Sequence, residues 1–295
     1  MRSIYQTKMK VQRNCSGRVN RLFGGKNRMS GKLSYVGLAI TVVLAQTGCG
    51  QESVGPPNLN GVWQSMGTAY WDVEGHNASK TSGTRTLGAL GAIPAGMSVV
   101  EGGTIPYQDW AKQKRNENRN DWQKNDNGVK CFIPGIPRST YMPLPFQILQ
   151  SENKIFIAYE WGSNSRVIHL DRPGTEAQLP SWMGYSLGHY EGDTLVVEVS
   201  AQMADAWFDS VGNFHGNNVR VTERYTPMGP NHLKYEATVE DSEVYTRPWK
   251  IVMPLYRRIE TNARILEFKC VEFAEDAMYG HLRKGEWMRE AKINE

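Results

Sequence analysis

The stretch "WMGYSLGHYEGDTLVVEVS", residues 182–200, decides the fold class of this chain. Gly184, Ser186 and Gly188 form the G-x-S-x-G pattern of a serine-hydrolase nucleophile elbow, which requires a helix directly after the serine. The turn "EGD" and the β-branched run "TLVVEVS" follow instead, and neither favours a helix. We therefore predict a β-hairpin in which Ser186 lies within a strand and the glycines mark a bend or close packing.

The region around this hairpin is predicted to be strand after strand. Residues 232–239 show the period-2 alternation of a half-buried strand, with Leu233 and Tyr235 on one face and Lys234 and Glu236 on the other. Short polar turns separate the predicted strands, which are 146–150, 154–161, 165–170, 183–190, 194–200, 218–226, 232–239, 247–256 and 264–273, with a further strand at the G-x-W of Gly61. A sheet of this size must hide its edges. We expect an all-β fold, an antiparallel up-and-down barrel or strongly coiled sheet of lipocalin type, with a two-sheet sandwich as the alternative.

The segments before residue 146 are predicted to cover this sheet. Residues 106–124 are dense in charged, helix-compatible residues behind Pro106, and their thin apolar stripe predicts one surface helix. The four prolines of 131–145 predict an extended crossing segment, and the glycine-rich stretch 82–105 is predicted to be irregular. From Ala274 onward we expect a short helix or tail.

The first 49 residues differ in character from the rest. They hold nine Lys and Arg and no Asp or Glu, and they include an apolar run at 35–45 that is too short to span a bilayer. This is the pattern of a signal or leader at 1–49, with Met29 as a possible true start. Residues 50–58 are predicted to be a flexible tether, and 59–295 a single β-barrel-like domain.

The end of the leader and the cysteines indicate export. Cleavage after Ala45 and lipidation of Cys49 are both open, and we favour lipidation. Cys131 and Cys270 are predicted to pair, because disulfides persist in an exported protein; two free buried thiols are the alternative. Without the leader the chain has 34 − 9 = 25 basic and 30 acidic residues, a net charge of −5, so no nucleic acid partner is expected.

Several motifs resemble those of a widespread family of secreted bacterial proteins, mostly uncharacterised. The family pattern runs roughly W-M-G-x-S-x-G-x-W-E-G-D-T-L-V-V, and Tyr190 stands here in place of the second Trp. Further similar pieces follow the same order: "CFIPGIPR" (131–138), "PFQILQ" (145–150), "IAYE" (157–160), "WFD" (207–209), "VTERY" (221–225), "YEATVED" (235–241) and "YTRPW" (245–249). The resemblance implies a lipocalin-like fold and an envelope location, but no activity. Where the family has His-Ser, this chain has His215-Gly216.

Polar residues on apolar strand faces are the first candidates for chemistry. Glu223 shares a predicted strand face with Val221 and Tyr225, Glu160 with Phe156, and His169 with Val167. If these faces point inward, the barrel contains two carboxylates and an imidazole, which need partners. Arg166, Arg224 and Arg247 are available partners. The group is interpreted either as an acid–base site or as a buried ion-pair network.

The loop 205–218 supplies a second candidate. It is rich in Gly and Asn and longer than its neighbours, as functional loops often are. Asp209 could orient His215 as a general base; the alternative is a capped loop with a solvent-exposed histidine. The six histidines have no metal-ligand spacing, so no metal and no cofactor are expected.

These features predict a secreted or lipid-anchored envelope protein that binds a small, partly apolar ligand in its barrel cavity. The predicted ligand-binding residues are Glu160, Trp161, Arg166, Trp182, Tyr185, Trp207, Arg247 and Trp249. The alternative is a cofactor-free hydrolase, lyase or isomerase with His215, Asp209, Glu223 and His169 as catalytic residues. The expected partner is a small molecule, and the membrane is contacted only through an N-terminal lipid. A purely structural envelope protein is a third hypothesis.

Overall fold

The computed structural model describes residues 55–80, 92–120, 122–172 and 179–272. All of them belong to one compact unit, Glu52–Glu295. The leader with Met29 and Cys49, most of the tether and the tail from Ala274 lie outside the described residues, so these assignments stay predictions. The described part contains no helix that is long and apolar enough to span a membrane.

The core of the unit is a closed barrel of nine strands. Its strands are β1 (Gly61–Ser65), β4 (Phe146–Gln150), β5 (Lys154–Tyr159), β6 (Asn164–His169), β7 (Tyr185–Glu191), β8 (Thr194–Ser200), β9 (Arg220–Pro227), β10 (His232–Glu240) and β11 (Trp249–Arg257). A separate two-stranded sheet is formed by β2 (Ser79–Lys80) and β3 (Ala92–Ile93). The predicted barrel is confirmed, and so is a strand at Gly61.

The odd number of strands forces one parallel pair into the ring. Each strand neighbours the next one in sequence from β4 to β11, and β1 closes the ring by pairing antiparallel with both β11 and β4. Alternating directions cannot close a ring of nine, so two neighbours must run the same way. These are β6 and β7, which pair in parallel at only two positions, Ile168 with Ser186 and His169 with Leu187. We call this pairing the seam.

The strand faces alternate as the sequence predicts. In β10 the buried residues Leu233 and Tyr235 alternate with Lys234 and Glu236, which are more exposed. The largest fully buried side chains of the strands are Trp63, Phe146, Ile148, Ile155, Ile157, Tyr225 and Tyr235. The barrel is therefore a packed core, lined mainly by aromatic and branched aliphatic residues.

The described chain also forms helical elements, which add no strand to the barrel. Helix α1 spans Asp109–Asn120, within the predicted 106–124, and α2 spans Trp122–Asn125, which ends one residue beyond that range. Ala111 is buried while Trp110 is 55% exposed, as expected for a surface helix with a thin apolar stripe. Short 3-10 helices lie at Asn127–Lys130, Arg138–Tyr141 and Trp161–Ser163. Residues 131–145 are thus not extended throughout, because a 3-10 turn interrupts them.

The predicted strand at 264–273 is wrong. Residues 264–271 carry no regular secondary structure. The physical reason is that β1 already occupies the space between β4 and β11, so the closed ring leaves no free edge for another strand. The segment instead runs over the outside of the barrel, where the Leu266 backbone N–H donates to Glu160 Oε2 at 2.8 Å. We call residues 264–270 the strap.

A disulfide between Cys131 and Cys270 fastens the end of the strap. It joins residues 139 positions apart in the sequence, and it confirms the predicted pairing over the alternative of two free thiols. Disulfides persist in oxidising compartments, so this pair fits an exported protein.

Candidate functional site

Glu223 lies at the centre of the barrel. It is on the inward face of β9, and its register partners are Ala237 on β10 and Val197 on β8. The glutamate is fully buried, as are Val221 and Tyr225, which share its strand face. A carboxylate in such a place is stable only with charged or hydrogen-bonding partners.

Arg166 is the main partner of Glu223. It points inward from β6, and its Nη1 lies 2.7 Å from Glu223 Oε2. The hydroxyl groups of Tyr225 and Tyr235 donate to Glu223 Oε1 at 2.9 and 2.7 Å. Arg166 also donates from Nη2 to Tyr225 Oη at 3.1 Å and from Nη1 to Ser186 Oγ at 3.5 Å. We call these residues the buried network.

The electrostatics favour the charged pair over proton transfer. Burial alone would lower the pKa of Arg166, but the adjacent Glu223 carboxylate raises it well above its usual value. Burial, followed by the Glu223 charge, raises the pKa of Tyr225 and Tyr235 well above 10. Arginine and both tyrosines therefore keep their protons, and the geometry matches the ion-pair interpretation of this group.

Two other predicted residues are not inside the barrel. Glu160 follows the last residue of β5, where the alternation ends, and it binds the strap from the outside. His169 shares the outward face of β6 with Val167, which is 38% exposed, and its ring stacks on Tyr185 at 5.3 Å. The conditional expectation of two carboxylates and an imidazole in the lumen therefore fails for Glu160 and His169.

Asp209 and His215 are buried in the same loop but have different partners. Asp209 accepts hydrogen bonds from the backbone N–H groups of Val73 and Asn213 and from Asn213 Nδ2. Burial and the nearby Asp72 raise the pKa of Asp209 to about 7. His215 Nδ1 lies 2.8 Å from the Gly216 carbonyl oxygen, and burial lowers the pKa of the ring. Since His215 is 2% exposed, the expectation of a solvent-exposed histidine is wrong.

The predicted aromatic residues lie in different places. Trp161 stacks on Phe268 of the strap at 4.8 Å, and Trp249 packs edge-on against Phe208. Trp207 is buried in the loop, where it bridges to Phe214. Arg247 is exposed and donates to the Pro248 carbonyl. They form no common ligand surface.

The remaining predicted residues meet at the seam. A cleft of about 420 Å³ opens there, and its wall includes Arg166, His169, Trp182 and Tyr185. The residues that complete its lining are Ile133, Ser165, Val167, Ser181, Met183, Gly184 and Ser186. We call it the seam cleft. It reaches from the outer face of the sheet to the buried network, because Arg166 and Ser186 belong to both.

Two polar atoms at the seam cleft are of particular interest. Arg166 Nε is buried and has no hydrogen-bond partner among the described residues, and the same is true of His169 Nδ1. Trp182 stacks on Phe132 at 5.0 Å, and His169 stacks on Tyr185, so three aromatic rings in the cleft wall are held by stacking. The cleft thus combines aromatic walls with the neighbouring, buried Arg166.

Sequence reasoning missed the cleft, although it singled out Ser186. The signal that could have found it is an odd strand count, since nine strands in a ring require a parallel pair; counting 264–273 as a strand gave ten and concealed it. A second depression of about 420 Å³ is lined by Gln64, Met66, Tyr256, Arg257, Arg258, Ile259 and Glu260. It contains none of the predicted site residues.

No group of three or more His, Cys, Asp or Glu within the described ranges could hold a metal ion. Comparison of the chain with protein-family models, with curated proteins and with solved structures found no match. The resemblance to the secreted bacterial family therefore stays a prediction that rests on its quoted motifs. The described chain forms a closed β-barrel with an ion-paired centre and a lateral cleft at the seam.

Proposed function

We propose that this chain is an exported envelope protein that binds a small, partly apolar ligand in the seam cleft. The observation that carries the proposal is the seam itself. Two register pairs hold β6 to β7, whereas neighbouring pairs such as β7–β8 extend over seven. The short pairing leaves a cleft at the side of the barrel, while the packed centre leaves no room at the level of Glu223.

The chemistry of the cleft supports a ligand with both apolar and polar parts. Binding pockets for small molecules are typically about 300–1,000 Å³, mostly apolar, with a few placed polar groups. Trp182, Tyr185 and Met183 supply apolar contact area, and Ser186 Oγ and Arg166 Nε supply polar contacts. A ligand acceptor atom at Arg166 Nε would satisfy a buried donor that otherwise lacks a partner.

Export and lipidation rest on the leader. The basic, acid-free leader and the paired Cys131 and Cys270 both fit an exported protein. Lipidation of Cys49 would place the barrel on a membrane surface through its N-terminal tether. Mass spectrometry of the mature protein tests this directly: a diacylglyceryl-modified N-terminal cysteine is expected, and an unmodified N-terminus at residue 46 would refute it.

The alternative function, a cofactor-free enzyme, has no specific observation in its favour. An acid–base pair at the barrel centre would need a free carboxylate, and Glu223 is bound by Arg166 and two tyrosines. A pair in the loop would need Asp209 beside His215, and each has other partners.

Native mass spectrometry of protein purified from its own source tests ligand binding. The blocking variant is Ser165→Trp, because Ser165 lines the cleft from the exposed outward face and its replacement leaves the core untouched. The matched control is Glu240→Trp, an exposed position on β10, four strands away in the ring. We expect a retained small molecule in the wild type and the control but not in Ser165→Trp. A ligand that Ser165→Trp retains, or no ligand in any of the three, would refute the proposal.

A further inference from the structure

An exposed apolar row runs across the outside of the barrel. Leu149 on β4 is the register partner of Phe156 on β5, and Phe156 is the register partner of Val167 on β6. All three point outward, and they are 47%, 39% and 38% exposed. We call them the apolar row. Neighbouring strands lie about 4.8 Å apart, so the row is roughly 10 Å long.

The apolar row is continuous with the seam cleft. Val167 is its last member and also lines the cleft. Single exposed apolar residues are ordinary on a protein surface, but a contiguous set beside a cleft marks a binding surface. The cleft and the row therefore form one elongated site, with a compact end at the seam and a linear apolar end across three strands.

Two cationic residues, Lys154 and Arg172, act on His169, which lines the cleft. Lys154 on β5 and His169 on β6 are register partners, and they form the outward row next to the apolar row. Burial, followed by the charges of Arg172 and Lys154, lowers the pKa of His169, and Asp171 acts on the ring in the opposite direction. Among the described charges that act on this ring the two cations outnumber the one anion, so this part of the site favours an anionic group.

We infer that the seam cleft and the apolar row together bind an amphipathic carboxylate with an unbranched aliphatic tail. The carboxylate lies at the cleft beside His169 and Lys154, and the tail lies along Val167, Phe156 and Leu149. The inference rests on the proposed function, since it names the ligand class of the same cleft. The apolar row outside the cleft is the feature from which the aliphatic tail is inferred.

The shape of the site separates this ligand from other occupants of the row. A compact aromatic molecule would fill the cleft and leave the row exposed. A second copy of the chain would cover the row but would leave the seam cleft without a ligand. The aliphatic tail of such a carboxylate matches the apolar row in length and in polarity. Its carboxylate group matches the charge beside the cleft.

Titration of purified protein with saturated fatty acids of six to twelve carbons tests the inference. Trp182 fluorescence or calorimetry supplies the readout. Full burial of a methylene strengthens binding roughly fourfold, and a chain covered on one side gains roughly twofold per methylene. We therefore expect affinity to rise by roughly fiftyfold from hexanoate to dodecanoate. Dodecanol should bind at least about fivefold more weakly than dodecanoate, since it lacks the charge.

Variants of the row assign the effect to these residues. Leu149→Thr should weaken dodecanoate binding by roughly tenfold and leave hexanoate unchanged, because only the longer tail reaches β4. Phe156→Thr serves as a second variant, so that a folding defect in one does not decide the result. The matched control is Met228→Thr, which removes an exposed apolar side chain after β9, in the turn that leads to β10, and should change neither affinity.

The outcomes separate this inference from the proposed function. Affinity that is independent of chain length, or equal for dodecanol and dodecanoate, would overturn the ligand class, while the Ser165→Trp result decides the cleft by itself. Sedimentation adds one more outcome. If the protein dimerises and Phe156→Thr abolishes the dimer, the row is a contact between copies, and the inference fails.

Discussion

Removing the charge of Glu223 is the most informative perturbation of this barrel. In Glu223→Gln the side chain keeps its shape and one acceptor for the two tyrosines, but Arg166 loses its countercharge. At 2.7 Å and an effective dielectric constant of about 20, the gross attraction between the two charges is about 6 kcal/mol. Desolvation offsets part of this attraction, so the measured loss is smaller.

The expected loss can be placed within a range. Breaking one side of a buried ion pair typically costs about 3–5 kcal/mol, because the remaining charge stays buried without a partner. Arg166 borders the seam cleft, but only 3% of its side chain is exposed, so its charge stays largely out of solvent. We therefore expect Glu223→Gln to lower the free energy of unfolding by about 4 kcal/mol, out of a total of about 5–15 kcal/mol for a typical domain.

Urea denaturation followed by tryptophan fluorescence measures this loss in Glu223→Gln, in Arg166→Met and in the double variant. Each single variant leaves one buried charge, whereas the double variant leaves none. The double variant should therefore be more stable than the sum of the single losses predicts, by about 2 kcal/mol or more. Additive losses, or a loss below about 1 kcal/mol in Glu223→Gln, would refute the reasoning that the barrel centre is an ion pair in a dry core. The surface pair of Arg224 and Glu191 is the control, and Arg224→Met should cost less than about 1 kcal/mol.

Three further predictions concern the surroundings of the barrel. Because the pKa of Asp209 is raised, the folded protein binds the proton of this carboxyl group more tightly than the unfolded chain does, and the urea midpoint should fall as pH rises from about 4 to 7. Asp209→Asn should reduce this dependence of the midpoint on pH. An unchanged dependence in Asp209→Asn would show that another group causes it. Replacing Cys131 and Cys270 by serine should lower the free energy of unfolding by about 5 kcal/mol in the chain-entropy model. The strap should then become accessible to trypsin. A strap that trypsin still does not cleave would show that packing alone holds it in place. Gly184→Ala should destabilise the protein more than Gly192→Ala does. Both glycines have φ near +64°, but only a Cβ at Gly184 would lie 2.5 Å from the Ser200 carbonyl oxygen. Equal losses of unfolding free energy in urea denaturation would contradict this.

Much of the fold was predictable from local patterns. Alternation placed Glu223 on the same strand face as the apolar residues Val221 and Tyr225, and this face points inward in the barrel. The hairpin at residues 182–200 excluded a nucleophile elbow, and Ser186 lies within β7 as predicted. These predictions hold because strand faces depend on a period of two residues, which the chain carries locally.

Local patterns failed at the ends of strands. Glu160 was assigned to the face of Phe156, but β5 ends one residue earlier and that face points outward. His169 was assigned with Val167 to the lumen, and the alternation of β6 has the opposite phase. Alternation separates two faces but does not say which one is inside. Arg166, which precedes Val167 on the opposite face of β6, is the residue that points inward.

The amino-acid sequence by itself determined the strands, the surface helix, the paired cysteines and the burial of Glu223. Each of these depends on neighbours in the chain or on residue chemistry. Only the tertiary structure decided that Arg166 is the partner of Glu223, that the ring holds nine strands, and that its parallel pair lies at the seam. Those features depend on which distant strands become neighbours when the barrel closes, and closure is a property of the whole ring.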